Sequence, residues 1–135
     1  MRLDIDGASP GETTSGYDQI KVQGGVVLQP GTKLLTETNV GFVSAENQQF
    51  VLIDNDGSDP VLGEFDGLRE GTIFENFLGT ALNARISYLG VDGVTGNDVV
   101  LTTTDVRNPI YDFSSANFDS TEGDVTAATN VVTIL

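Results

Sequence analysis

The 135-residue sequence contains no cysteine, no histidine and no tryptophan. Without cysteine there is no thiolate nucleophile and no zinc thiolate site, and without histidine there is no Ser-His catalytic arrangement. Paired carboxylates remain available for glycoside hydrolysis. The acids Asp18 and Asp98 each border a predicted strand, however, where capping a turn is the simpler role. We therefore expect that the protein is not an enzyme.

Positive charge is also scarce. Six Lys and Arg residues face 20 Asp and Glu residues, which gives a net charge of −14. A surface this acidic repels nucleic acids and acidic membranes, and it favours divalent cations. No stretch approaches the roughly 18 apolar residues of a membrane span. We expect no nucleic-acid partner and no direct membrane insertion.

The start of the chain lacks the basic and apolar segments of a secretion signal. Met1 lies directly on a strand-like pattern, so we expect that it was added to a fragment of a longer polypeptide.

Signals for helix are few, whereas signals for strands and turns cover the chain. Sixteen glycines, many Thr and Val residues and a period-two alternation of apolar side chains are typical of strands joined by tight turns. Only Asn76 to Arg85 has the spacing for about one turn of helix. The pattern predicts an all-β fold with little or no helix, as a sandwich, a barrel or a solenoid. The predicted strands are Leu3–Ile5, Tyr17–Val22, Val26–Leu28, Lys33–Thr38, Phe50–Ile53, Val61–Phe65, Ile73–Leu78, Ala84–Tyr88 and Val99–Thr104.

The chain divides into a main module, residues 1–104, and a C-terminal segment, residues 105–135, that contains a linker and further strands. This second segment is too short to enclose a core alone. It either packs on the main module or forms the first strands of a neighbouring domain. Its last predicted strand, Asn130–Leu135, is apolar, so it must be covered by its own sheet or by another chain.

Residues 3 to 102 resemble, in order and spacing, the C-terminal end of the passenger regions of autotransporter-type, repeat-rich bacterial surface proteins. The resemblance rests on the segments LDIDG (3–7), GYDQIKVQG (16–24), FVLIDNDG (50–57), GEF (63–65), GLREG (67–71), ISY (86–88) and GNDVVLT (96–102). It implies a short β-solenoid, similar to a parallel β-helix, that grades into a cap similar to a β-sandwich. It also implies an extracellular location on the bacterial cell surface, and a structural or spacer role in an adhesin or exoprotein.

The C-terminal segment is similar to a different family. Its sequence FSSANF (113–118), followed by TEGD (121–124) and a strand rich in Thr and Val, resembles the first two strands of a Calx-β domain. This resemblance implies a calcium-binding role for Glu122, with the remaining ligands on later strands of such a domain.

Acidic turns are the other candidates for a calcium site. Asp54, Asp56 and Asp59 place three carboxylates within six residues, and calcium takes several oxygen ligands. Their spacing is not that of an EF-hand, and Asp and Asn also favour ordinary turns. Asp92 and Asp98 lie in one incomplete copy of the glycine-aspartate repeat of calcium-binding β-rolls. A hairpin that joins two strands is the alternative interpretation there.

Three functions stay open. The first is a structural module whose partners are neighbouring domains of the same polypeptide. The second is a calcium-dependent module that binds carbohydrate or a cell surface, in which Tyr17, Tyr88 and Tyr111 could stack on a glycan unless they are half-buried. The third is a filament subunit in which Asn130–Leu135 completes the sheet of a neighbouring copy.

Overall fold

The structure is a computed structural model that describes residues 1–11, 15–91, 93 and 96–105. Within these ranges every regular element is a strand except for one 3₁₀ turn, Phe77–Gly79, and the predicted all-β class is therefore confirmed. The strands are β1 (Arg2–Asp4), β2 (Ser9–Pro10), β3 (Gly16–Tyr17), β4 (Ile20–Val22), β5 (Val26–Val27), β6 (Leu35–Glu37), β7 (Gln49–Asn55), β8 (Val61–Leu62), β9 (Ile73–Phe74), β10 (Asn83–Ser87) and β11 (Val99–Thr104). The predicted strands and calcium ligand in residues 106–135 lie outside the described residues.

Three parallel ladders join strands that are far apart in the sequence. Strand β1 pairs with β6, β4 with β7, and β5 with β8. Representative pairs are Leu3 with Thr36, Ile20 with Ile53 and Val26 with Val61, which are 33, 33 and 35 positions apart. Residues 1–33 (the first pass) and residues 34–66 (the second pass) therefore run side by side in the same direction.

The remainder of the main sheet is antiparallel. Its five strands lie in the order β4-β7-β11-β10-β9, and only the β4–β7 contact is parallel. Strands β10 and β11 form a hairpin, which confirms the hairpin interpretation of the glycine-rich segment between them. Gly90 donates its backbone N–H to the carbonyl oxygen of Asp98, and Gly96 donates to that of Leu89, at 3.1 and 2.8 Å.

Aromatic rings connect the passes through the core. The ring of Phe50 on the second pass lies 5.3 Å from that of Tyr17 on the first pass, edge to face, and 5.8 Å from that of Phe77. Offset and edge-to-face contacts are the favoured geometries of such pairs. The other buried apolar residues around them are Leu3, Ile5, Val26, Leu52, Ile53, Phe65, Ala84, Ile86, Tyr88, Val99 and Leu101.

The predicted turn of helix over Asn76 to Arg85 is present only as the irregular 3₁₀ turn Phe77–Gly79 and does not extend further. Asn76 and Leu78 both have left-handed backbone angles, with φ of 54° and 52°, and β10 already begins at Asn83. The hydroxyl of Thr80 donates to the carbonyl of Phe77 and accepts the N–H of Leu82. Such local side-chain bonds compete with a helical backbone.

Candidate functional site

Of the acidic residues proposed as calcium ligands, Asp54, Asp56 and Asp98 contact other groups of the chain through their carboxylates, and Asp59 accepts the side-chain N–H of Asn55 through its backbone carbonyl oxygen. Asp54 lies at the end of β7, 4.0 Å from the ammonium of Lys21. Asp56 Oδ1 accepts the backbone N–H of Gly24 at 2.8 Å. Among the described residues, no three acidic side chains come close enough together to hold a metal ion. Asp92 and Glu122, the other two proposed ligands, lie outside the described residues.

Asp98, the remaining candidate ligand, belongs to an arrangement that fixes the loop after β7. Its Oδ1 accepts the backbone N–H of Asn55 at 2.9 Å. The neighbouring Asn97 directs its side-chain nitrogen to the carbonyl oxygens of Asp56, Gly57 and Asp59, at 3.4, 3.1 and 3.3 Å. The β10–β11 hairpin thus holds this loop through one carboxylate and one amide.

A second arrangement of carboxylates connects the two passes. Asp6 accepts the backbone N–H of Asn39 at 2.6 Å, and the Asn39 side chain donates to both Asp4 and Asp6. These bonds from Asn39 hold the pKa of Asp6 below its usual value. Asp18, which we considered as a catalytic acid, accepts the backbone N–H of Asp4 at 2.9 Å. These carboxylates therefore act as hydrogen-bond acceptors for the backbone and for Asn39.

The two described tyrosines are buried, and neither presents a ring face to a sugar. Tyr17 and Tyr88 are only 4% and 5% exposed. Tyr88 accepts the backbone N–H of Phe65 at 2.9 Å and donates its hydroxyl to the carbonyl of Leu68 at 2.6 Å. The third tyrosine, Tyr111, lies outside the described residues.

Burial raises the pKa of Tyr88 above its usual value, and the charges of Glu64 and Glu70 add to the rise. The folded chain therefore holds this proton more tightly than the unfolded chain does. The resulting stability is complete below a pH of about 10, the unfolded value, and is lost as the pH rises through the raised pKa.

We expect Tyr88→Phe to lower the free energy of unfolding by about 1–3 kcal/mol, because it leaves the N–H of Phe65 buried without an acceptor. Urea unfolding at neutral pH measures the change. Tyr17→Phe is the matched control, since the Tyr17 hydroxyl accepts only one longer bond, 3.3 Å from the N–H of Val51. Equal losses in the two variants would show that the Tyr88 hydroxyl has no special role.

One groove lies between the second pass and the segment before β10. Its cavity of about 400 Å³ is lined by residues 36–38 and 74–79. A smaller cavity of about 210 Å³ adjoins Thr36 and Phe74 as well, and is lined further by Leu34, Leu35 and Leu68. We call these two cavities together the β6 groove.

No protein-family model, no curated protein and no solved structure matches this chain. Within the described ranges, no helix is long and apolar enough to cross a membrane. The fold and the site define an all-β framework in which the carboxylates of Asp6, Asp18, Asp56 and Asp98 accept hydrogen bonds from backbone N–H groups.

Proposed function

We propose that this chain is a non-catalytic structural module of a secreted bacterial surface protein, an adhesin or exoprotein. In this proposal the two passes are coils of a short β-solenoid, and the antiparallel strands after them form its cap. The observation that carries the proposal is the similar spacing, 33 to 35 residues, in the three parallel ladders that join the first pass to the second.

Side-chain contacts support the stacking of the two passes at the same spacing. The backbone N–H of Asn39 donates to the carboxylate of Asp6, 33 residues earlier. The backbone N–H of Gly24 donates to the carboxylate of Asp56, 32 residues later. The edge-to-face contact of Tyr17 with Phe50 also joins residues 33 positions apart. In repeat architectures each unit contacts its neighbours in this way, and stability grows with the number of units.

The antiparallel strands support the role of a cap. A stack of parallel strands ends in an edge of unpaired backbone groups, which can recruit other chains. Here β11 pairs with β7 on the side opposite β4, and β10 and β9 follow. Strand β11 therefore covers this side of β7, and its antiparallel hairpin with β10 ends the run of parallel pairing in the sheet.

The candidate acids support a structural role over a catalytic one. Asp18, Asp56 and Asp98 each accept a backbone N–H. A carboxylate used in this way orders the backbone of its neighbours, and each of these three bonds joins different strands or loops. The extracellular location rests on the resemblance to surface proteins, with which the net charge of −14 is compatible.

We expect a variant with a second copy of residues 34–66, inserted after Lys33, to fold as one cooperative unit of greater stability. The added coil would place Phe50 of one copy on Phe50 of the next, and would bury its apolar residues against both neighbours. In urea, the slope of the unfolding transition should rise by about a quarter, because it scales with the surface exposed on unfolding.

The control variant carries the same 33 residues in scrambled order at the same position. It keeps the composition and charge of the insert but not the order of residues that sets the strand register. It should therefore be less stable than the original chain. A drop in stability for the true copy, or two separate unfolding transitions, would contradict the stacking of coils.

A further inference from the structure

The loop after β7 contains the one Asp–Pro peptide bond of the sequence, Asp59–Pro60. The carboxylate of an aspartate can attack its own backbone carbonyl carbon, because the ring that forms is five-membered and the two groups are already adjacent. The nitrogen of a proline carries an additional alkyl group, so it is more basic than an ordinary amide nitrogen and leaves more readily once it is protonated. An Asp–Pro bond can therefore break by intramolecular attack where its carbonyl is activated.

Two side-chain amides are directed at the carbonyl of Asp59. Asn55 Nδ2 donates to the carbonyl oxygen at 2.8 Å, and Asn97 Nδ2 lies 3.3 Å from the same oxygen. Donors in this position stabilise the negative charge that develops on the oxygen when a nucleophile adds to the carbon. The pair therefore has the chemistry of an oxyanion hole, with Asn55 as the closer donor.

Asn55 is held in position by the surrounding fold. It is the last residue of β7, lies opposite Val22 in the ladder to β4, and donates its backbone N–H to Asp98 Oδ1 at 2.9 Å. The residue is only 3% exposed, yet its Oδ1 has no hydrogen-bond partner among the described residues. A buried polar atom without a partner costs stability, so its position needs a reason other than folding. An amide kept in place to act on the Asp59 carbonyl supplies that reason.

The attacking carboxylate and water both have access to this carbonyl. Residues 56–60 are all exposed. The ion pairs within the described part of the chain join Arg2 or Lys21 to other acids, so no described cation pairs with the carboxylate of Asp59. Nothing of opposite charge therefore holds this carboxylate away from its own carbonyl carbon.

We propose that this chain cleaves its own Asp59–Pro60 bond. A carboxylate oxygen of Asp59 adds to the Asp59 carbonyl carbon, and the amides of Asn55 and Asn97 stabilise the resulting oxyanion. The C–N bond then breaks, and its electron pair stays on the Pro60 nitrogen, which takes a proton from solvent. One water molecule opens the cyclic anhydride left at Asp59 and gives a free C-terminal aspartate. Each chain reacts once, so the module remains non-catalytic towards other molecules.

The two products should stay together as one folded unit. The cut falls between β7 and β8, so it separates residues 1–59 from residues 60–135. Strand β11 pairs with β7 and β8 pairs with β5 across the cut, and the ring of Phe77 packs against that of Phe50. The fragments are therefore counted by mass spectrometry after denaturation, where their summed mass exceeds that of the intact chain by one water.

The test compares folded protein with protein unfolded in urea in the same buffer. The buffer lies about one pH unit above the isoelectric point of about 4.1, where the chain is anionic and soluble. We expect the folded chain to cleave at least about tenfold faster than the unfolded chain, because oxyanion-hole donors contribute that much or more to such a step. Far-ultraviolet circular dichroism in that buffer checks that the first sample is folded.

Variants separate the nucleophile from the donors. Asp59→Glu keeps the charge and the backbone carbonyl but places the carboxylate one carbon further away, so cleavage should slow more than about tenfold in both states. Asn55→Ala keeps the nucleophile, so it should lose the acceleration in the folded state and match the original chain in urea. Asn97→Ala, at a partly exposed position, should lower the folded rate as well, and it serves as the donor variant if Asn55→Ala does not fold.

Equal rates in the folded and unfolded states would show only the ordinary lability of an Asp–Pro bond and would overturn the proposal. An intact chain in both states, or cleavage of Asp59→Glu as fast as that of the original chain, would overturn it too. None of these results bears on the stacking of the two passes, which is tested separately by the inserted copies.

Discussion

Phe50→Ala should lower the free energy of unfolding by about 3–5 kcal/mol, the usual cost of removing a buried aromatic ring. Phe50 is fully buried, and its ring contacts those of Tyr17, Phe42 and Phe77. Because these rings come from the first pass, the second pass and the segment before β10, a cavity at Phe50 weakens all three together. Urea unfolding followed by far-ultraviolet circular dichroism measures the loss.

Val43→Ala is the control for this substitution. Val43 lies on the same pass but is 69% exposed, so its replacement should change stability by less than about 0.5 kcal/mol. A loss below about 1 kcal/mol for Phe50→Ala would show that the rings do not join the passes into one core.

Gly63→Ala should destabilise the protein about as much as Phe50→Ala does, and we expect it to lower the free energy of unfolding by more than about 3 kcal/mol. Gly63 has a φ of +86°, and a Cβ atom added there would lie 2.2 Å from the carbonyl oxygen of Leu28 on the first pass. Left-handed backbone at a residue other than glycine costs about 1–3 kcal/mol. The contact with Leu28 adds to this cost, because the two passes must separate to relieve it.

Gly31→Ala separates the two contributions. Gly31 has nearly the same φ, +84°, but an added Cβ would meet no atom within 4 Å. The free energy of unfolding of Gly31→Ala should therefore fall only by the cost of a left-handed backbone at alanine, about 1–2 kcal/mol. The excess loss of Gly63→Ala over Gly31→Ala, from paired urea unfolding curves, measures how closely the passes stack. Equal losses would contradict close stacking at this position.

The parts of the fold that depend on local pattern could be predicted from the sequence. The strands around Phe50–Ile53, Ala84–Tyr88 and Val99–Thr104 have clear apolar runs bounded by turn residues. The β10–β11 hairpin connects strands that are close in the sequence, so the glycine-rich segment between them was informative.

The parallel pairing could not be predicted from local pattern. Leu3 and Thr36 differ in character, and nothing within a short window indicates that they lie opposite each other across 33 residues. The short strand β8 pairs with β5 over two residues only, and it is shorter than the predicted strand Val61–Phe65. Such pairing depends on the packing of the whole chain.

The sequence pointed to acidic residues near turns, but it did not indicate which groups their carboxylates contact. Asp56 and Asp98 are acidic residues near predicted turns, and the structure places both at contacts that hold loops. Asn39 and Asn97, which make more of these contacts, were missed because a single asparagine in a loop has no periodic signal. Only the approach of distant segments reveals what their side chains bind.

The most direct test of the proposed stack is its length. Small-angle X-ray scattering on variants with one, two and three inserted copies of residues 34–66 gives the maximum dimension of each. Coils stacked in parallel register should lengthen the molecule by about 4.8 Å per copy, the spacing between hydrogen-bonded strands. An increase of about 20 Å per copy, the diameter of a separate compact unit of 33 residues, would contradict the stack.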